Sequence, residues 1–304
     1  TAGLPHVIIR FYTVPKASDA RWSAGWALVF IGLLYTTAPA VAVFSKYNLL
    51  NTLANKPVEE VRQIDWVQKW EQTGLLKLQD KNGDGILQMS ANPDVNEVTI
   101  DRDIIVLSTP EVAKLSPFIV GLVAAGGLAA ALSTAAGLLI VIASAISHDL
   151  YTRLINPGAS EATKLLIARV VIFLVVVLAA PFGINPPAFI AQLVAFAFGL
   201  AASTFFPAIL LGIFDRRMNM QGAVAGMIVG LVFTASYIIG TKYLGWPNFI
   251  LGITAEGIGA IGMLLNFVVA YLVSRATPPP PEEIQHLVDE IRIPKGSAGS
   301  ALEH

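Results

Sequence analysis

Residues 117–147 read PFIVGLVAAGGLAAALSTAAGLLIVIASAIS, without one charged side chain. A helix needs about 20 mostly apolar residues to cross a bilayer, so this stretch has length to spare and must tilt or protrude. Ser116 and Pro117 mark its start: an N-cap hydroxyl, then a proline where no amide hydrogen is missed. Working outward from it, five further apolar runs emerge at residues 22–44, 165–180, 188–214, 221–239 and 258–273. The runs are continuous and do not alternate, which excludes a β-barrel. The first lacks the short apolar core and small-residue cleavage site of a signal peptide. The reading is an all-α polytopic membrane protein of six spans.

Composition agrees. Of 304 residues, 55% are hydrophobic and only 13% charged, where a soluble domain carries roughly 25%. Mean hydropathy is +0.65. An ordinary soluble enzyme, a disordered chain and a basic nucleic-acid binder are all excluded. With no Cys, disulfides and thiolate metal sites are absent as well.

The net charge of −1 hides a segregation. Arg10, Lys16 and Arg21 precede the first span, and Arg153 and Lys164 follow the second. Arg216 and Arg217 lie between the fourth and fifth, and Arg275, Arg292 and Lys295 come after the sixth. The alternate short loops, 181–187 and 241–254, share one Lys. Lys and Arg accumulate on the cytoplasmic side. Both ends of the segment are therefore expected to be cytoplasmic, in a plasma (inner) membrane. The expected domains are a transmembrane region over 1–275, an extracytoplasmic insertion over 45–116 within it, and a cytoplasmic tail over 276–304.

The insertion reads as folded. Val58, Val61, Ile64, Val67 and Trp70 recur every three residues among charged neighbours, which predicts an amphipathic helix on the outer face. A cap over a transport pathway and a helix packed for solubility both fit. Further on, Asp80, Asn82 and Asp84 before Gly85 follow the D-x-[DN]-x-D-G pattern of a calcium loop, with Ala91 where a bidentate Glu is normal. Calcium and an ordinary Asn-Gly turn are the two readings.

Inside the spans, no Asp, Glu, Lys, Arg or His is expected to lie deep, which removes the parts of a proton relay or a membrane enzyme. Small residues crowd one side of span two, and Gly222, Gly226 and Gly230 repeat every fourth residue in span five, a helix-packing pattern. Gly199 and Pro207 interrupt span four. Proline frees a carbonyl, and such breaks are tolerated where they line a cavity or are repaired by neighbours. The remaining chemistry is hydroxyls and amides. Ser133 and Thr134 sit mid-span, either bonded back to their own helix or serving as oxygen ligands for a hard cation such as sodium.

The stretch 126–151, GGLAAALSTAAGLLIVIASAISHDLY, resembles the signature helix of the sodium:solute symporters. That signature has a small residue, here Ala130, then a hydroxyl pair, Ser133 and Thr134, and later Asp149-x-Tyr151. Gly3-Leu4-Pro5-His6 with Arg10-Phe11, residues 183–187 (GINPP), Phe196-Ala197-Phe198-Gly199 and Gly212-Ile213-Phe214 with Arg216-Arg217 also match. The resemblance is greatest to the acetate-permease-like branch accompanied by a small membrane subunit. It implies the leucine-transporter-type inverted-repeat fold, with this chain as the C-terminal half: the second repeat plus two peripheral helices. It implies that Ser133, Thr134 and the Ala130 carbonyl bind sodium. The first core helix, with the other sodium ligands and most substrate contacts, would lie outside this chain. Sugar-carrying relatives place a Gln one turn before the residue matching Gly199. Here that position is Ala195, with Gln192 a turn further out, and an apolar wall suits a small monocarboxylate better than a polyol. Gln192, Ser203 and Thr204 are the candidate pathway residues, with helix packing the plainer role for each. The expectation is a sodium-coupled symporter of a short monocarboxylate such as acetate. A symporter for another small solute such as proline, or a transporter-like sensor acting through a partner, are the alternatives.

Overall fold

The computed structural model describes residues 3–9 and 14–291. The matches and charges noted at Arg10, Phe11, Arg292 and Lys295 lie outside the described residues. Six helices are long and apolar enough to cross a membrane: Ser18–Leu53, Pro117–Ile155, Glu161–Ile184, Ile190–Phe214, Met220–Tyr243 and Gly259–Ala276. The all-α polytopic class is thus met, with each span near or beyond the bounds drawn from the apolar runs. One expectation about the interior needs correcting. Arg169 lies on Glu161–Ile184, two turns from its start. Its side chain is exposed, and a long cationic stem near a span end can reach the interface.

The chain divides into two compact units, Val14–Leu139 and Thr1–Thr13 with Ile140–His304. The first is built on α2 (Ala17–Leu53), the short helices α3 (Val58–Arg62), α4 (Asp65–Thr73) and α5 (Ile105–Val112), and most of α6 (Pro117–Ser144). Strands β1 (Leu76–Leu78) and β2 (Val98–Ile100) pair antiparallel, with Leu76 opposite Ile100 and Leu78 opposite Val98. Leu53, Val61, Trp66, Val67, Leu76 and Leu87 close an apolar core. Trp66 and Trp70 meet edge to face with centroids 4.8 Å apart.

The single amphipathic helix expected over 58–70 is two helices. Three-residue spacing lags an α-helix by about 60° per step, so five such positions cannot stay on one face. The chain resets the phase at Ile64, whose backbone is extended (φ −78, ψ 124). That reset brings Trp66 as well as Val67 and Trp70 into the core.

The second unit holds α1 (Pro5–Ile8), an eleven-residue π-helical segment Ala145–Ile155, α7 (Glu161–Ile184), α8 (Ile190–Phe214), α9 (Met220–Tyr243), α10 (Gly259–Ala276) and α11 (Glu282–Glu290). The helix starts are encoded locally. The Ser160 hydroxyl accepts from the Thr163 amide, and the Asn219 side chain from the Gly222 amide at 2.9 Å. Helices α8, α9 and α10 form one tightly packed block. Gly222, Gly226 and Gly230 face Ser274, Ala270 and Asn266 of α10 and Ser203 of α8, where a Cβ would collide with their atoms. Gly199 and Gly259 bring α8 and α10 backbone to backbone in the same way.

Candidate functional site

Ala130, Ser133 and Thr134 lie together on the exposed face of α6, in the middle of the span. The Thr134 hydroxyl donates to the Ala130 carbonyl at 3.1 Å, so two of the three expected oxygens are neighbours. That bond also serves the ordinary role of a helix threonine. Turned toward an ion, the same hydroxyl oxygen keeps its lone pairs available beside the carbonyl.

The candidate pathway residues separate. Ser203 and Thr204 are buried within the α8–α9–α10 block. Both hydroxyls donate to the Leu200 carbonyl, at 3.0 and 2.6 Å. In this arrangement both side chains bond back to their own helix. The carbonyl of Ser203 is engaged separately, because of Pro207. Lacking an amide hydrogen, it leaves the carbonyl four residues earlier, Ser203, without its helical donor. Asn266 of α10 supplies the replacement: its Nδ2 donates to the Ser203 carbonyl at 2.7 Å and to that of Thr204 at 2.9 Å. Asn266 is fully buried. The break in α8 is therefore repaired by a neighbouring helix. Composition had pointed to amides in the spans, but Asn266 was not singled out. Its signal was a lone amide on an apolar helix, meaningful only once paired with a proline on another.

Gln192 lies elsewhere, in the first turn of α8. Its Nε2 donates to Glu256 Oε1 at 2.5 Å, and the same oxygen pairs with Lys242 Nζ at 3.0 Å. Glu256, in the α9–α10 connection, is held down at about 2 from an ordinary 4.5. The Thr254 side-chain hydrogen bond is the largest cause, with Gln192 and Lys242 adding to it against the cost of burial. An ionised carboxylate only accepts, so it dictates that the Gln192 amide points its nitrogen inward. Lys242, the one Lys of the two short loops, is thus half of an ion pair.

A small cavity of about 220 Å3 lies between Gly3 and Leu4 and the α8 residues Phe198, Ala202 and Phe206, with Met263 of α10 completing the wall. Gly3 lets the chain approach closely there, since a Cβ would press on the Ala201 carbonyl and Phe206. The lining side chains are apolar, and the backbone adds polar surface to the wall.

The calcium reading finds no support in the loop's geometry. The Asp80 carboxylate accepts from the Gly83 and Gly85 amides, at 2.7 and 2.8 Å. Asp84 accepts from the Ile86 amide and from the side-chain amides of Asn82 and Gln88. The Ile86 bond leads the causes that lower the Asp84 pKa. The oxygens the pattern relies on are turned onto the loop's own donors. The residue that closes the loop is Glu97, which no motif flagged. It is 2% exposed, and it accepts from the amides of Lys81 (2.8 Å), Asn82 (3.4 Å) and Gln88 (2.9 Å). Among the described residues, no group of three or more His, Cys, Asp or Glu gathers as it would around a metal ion.

Residues 89–230 match the model of the Sodium:solute symporter family, a range that contains α6 with its hydroxyl pair and all of α8. The chain belongs to the sodium:solute symporter family. It is 41% identical over 300 residues to an uncharacterized symporter of Cupriavidus necator, covering 96% of this chain and 43% of that protein. It is 31% identical over 244 residues to a monocarboxylic acid transporter of Corynebacterium glutamicum, covering 76% of this chain and 35% of that protein. The chain therefore spans less than half the length of these two relatives.

Proposed function

We propose that this chain is part of a sodium-coupled symporter for a small organic anion, a short monocarboxylate such as acetate. The observation that carries the reading is the pair of neighbouring, exposed, uncharged oxygens at Thr134 and Ala130, beside Ser133, in the middle of an apolar span. Sodium, the coupling ion and co-substrate, is a hard cation that takes hydroxyl and carbonyl oxygens without any need for a carboxylate. These three residues would supply part of its shell. The remaining ligands would come from other parts of the transporter.

The substrate class rests on two supports. A family relative bears the name monocarboxylic acid transporter. The cavity at Phe198, Ala202 and Phe206 is small and lined by apolar side chains, suited to the alkyl end of a short acid. On this reading the leucine-transporter-type repeat, the cytoplasmic placement of both segment ends, the extracytoplasmic position of residues 45–116 and a small accompanying subunit complete the architecture. Gln192 then sits at the mouth of α8, and Ser203 and Thr204 support the wall from behind.

The test is uptake by the full-length protein in proteoliposomes, with and without an inward sodium gradient. Labelled acetate, lactate, proline and glucose are compared. Sodium-driven uptake of acetate or lactate, lost when Ser133→Ala is combined with Thr134→Ala in protein that still inserts, is the expected result. Uptake with unchanged sodium dependence in that variant would refute the site. Proline or glucose as the preferred solute would refute the substrate class.

A further inference from the structure

The connection between α9 and α10 is a fixed platform. The Tyr237 hydroxyl of α9 donates to the Ile253 carbonyl at 2.7 Å, and Trp246 lies on Gly240, where a Cβ would collide with its ring. Phe249 packs against both rings, with centroids 5.2 Å from Tyr237 and 6.2 Å from Trp246. This platform presents the Glu256 carboxylate, which accepts from Gln192 of α8 and pairs with Lys242 in the last turn of α9. Lys242 also stands 6.0 Å from the centre of the Phe196 ring, one turn on from Gln192.

The two parts of α8 are held differently. Ala201, Ser203, Thr204 and Pro207 are buried, and Asn266 of α10 bonds the Ser203 and Thr204 carbonyls. None of residues 190–200 is buried within this chain. Between the two parts, Gly199 meets Gly259 backbone to backbone, a pivot with no side chain to resist a tilt. The wall of the small cavity straddles that pivot, with Phe198 on the first part and Ala202 and Phe206 on the second. The Gln192–Glu256 bond ties the first part to the platform. It is open to water, since the Glu256 side chain is 31% exposed and that of Lys242 36%. Water replaces such a bond at modest net cost, so the contact can open locally while the buried part stays folded. We propose that Gln192 and Glu256 form a releasable latch. Closed, it holds the first turns of α8 on the platform and keeps Phe198 in the cavity wall. Open, those turns tilt about Gly199 and the cavity is exposed past Phe198. Because the carboxylate only accepts, position 192 must donate. The latch rests on contacts within this unit, independently of which ion or solute is carried.

The experiment uses the full-length protein in proteoliposomes, with any cysteine outside this chain replaced by Ser. Ala202→Cys reports access to the cavity through its rate of reaction with a small methanethiosulfonate reagent. Sodium and solute are left out, so the result stands apart from the uptake test. Gln192→Leu keeps the bulk and removes the donor. It should speed labelling by about threefold to tenfold, the population shift that one ordinary net hydrogen bond gives. Gln192→Lys restores a donor to the carboxylate and should label at the rate of the unmutated position. Gln192→Glu sets two carboxylates against each other and should label at least as fast as Gln192→Leu. If Gln192→Leu does not insert, Glu256→Ala removes the other partner and is read in the same way. A labelling rate unchanged or slowed in Gln192→Leu overturns the latch, as does a Gln192→Lys rate equal to that of Gln192→Leu. Met220→Cys, exposed at the start of α9, is the control for general loosening. Its rate should not move with Gln192→Leu, and an equal acceleration there would also overturn the proposal.

Discussion

Replacing Asn266 by Ala tests whether the α8 break is truly repaired from α10. The substitution removes both donors to the Ser203 and Thr204 carbonyls, bonds of 2.7 and 2.9 Å at a fully buried position. Thr204 still has its helical donor, whereas Ser203, four residues before Pro207, has none. Leaving a buried acceptor unsatisfied costs about 1–3 kcal/mol. Interhelical hydrogen bonds in membrane proteins measure lower, about 0.6 and at most about 1.7 kcal/mol. The cavity left by the lost amide adds to the cost of the single variant, so the single variant cannot isolate the bond. Pro207→Ala can. It returns an amide hydrogen to the Ser203 carbonyl, and the cavity term is then common to both arms of the cycle. The expected coupling is therefore about 0.6–1.7 kcal/mol, with Asn266→Ala milder in the Pro207→Ala background. The assay is reversible unfolding of the full-length protein in mixed micelles, comparing the four proteins of the double-mutant cycle. Strictly additive effects would refute the repair and leave Asn266 a mere filler of space.

Three further outcomes follow from the same geometry. Gly230→Ala should destabilise by about 1–3 kcal/mol, because its Cβ would enter the space of the Ser203 carbonyl. Gly212→Ala, which meets nothing within 4 Å, should not, and a thermal shift comparison decides. Glu97→Gln should loosen the loop by about 1–3 kcal/mol by weakening three amide bonds. Faster amide exchange at Lys81 and Gln88 is the readout, and protection equal to the unmutated protein would count against the role. Glu256 has its carboxyl pKa lowered from 4.5 to about 2, so the stability it adds is complete above 4.5 and declines as pH falls toward 2. The difference in stability between the unmutated protein and Glu256→Gln should be flat from pH 5 to pH 8, read as melting temperature, and shrink below 4.5. A difference that grows on acidification would contradict the assignment.

Much of the candidate site was legible because it is local. The Ser133-Thr134 pair and the preceding small residue occur within one helical turn, and helix geometry alone brings the Thr134 hydroxyl to the Ala130 carbonyl. The glycine row of α9 was legible for the same reason, as a four-residue repeat whose only purpose is close approach. Gln192, Ser203 and Thr204 were named from one helix without their partners. Those partners, Glu256 for the first and Asn266 for the other two, lie 62 to 64 residues away along the chain. No periodicity within α8 encodes which of them will arrive. The calcium pattern is incomplete for a related reason. It counts oxygens by spacing, while Glu97, brought in from the far side of the loop, decides where the amides point.

The sequence by itself determined the solvent and the secondary structure. Six long apolar runs have no stable alternative to helices in a bilayer, since every backbone amide there must be satisfied within its own segment. It also determined that any ion site inside would be made of hydroxyls and carbonyls, because so little charge is there to use. The tertiary structure alone decided which polar groups meet across helices. Asn266 is consumed by the carbonyl that Pro207 frees and Gln192 by Glu256, while Ala130, Ser133 and Thr134 are exposed on α6. That allocation depends on distances between helices, set by glycine contacts across α8, α9 and α10, and no single span carries that information.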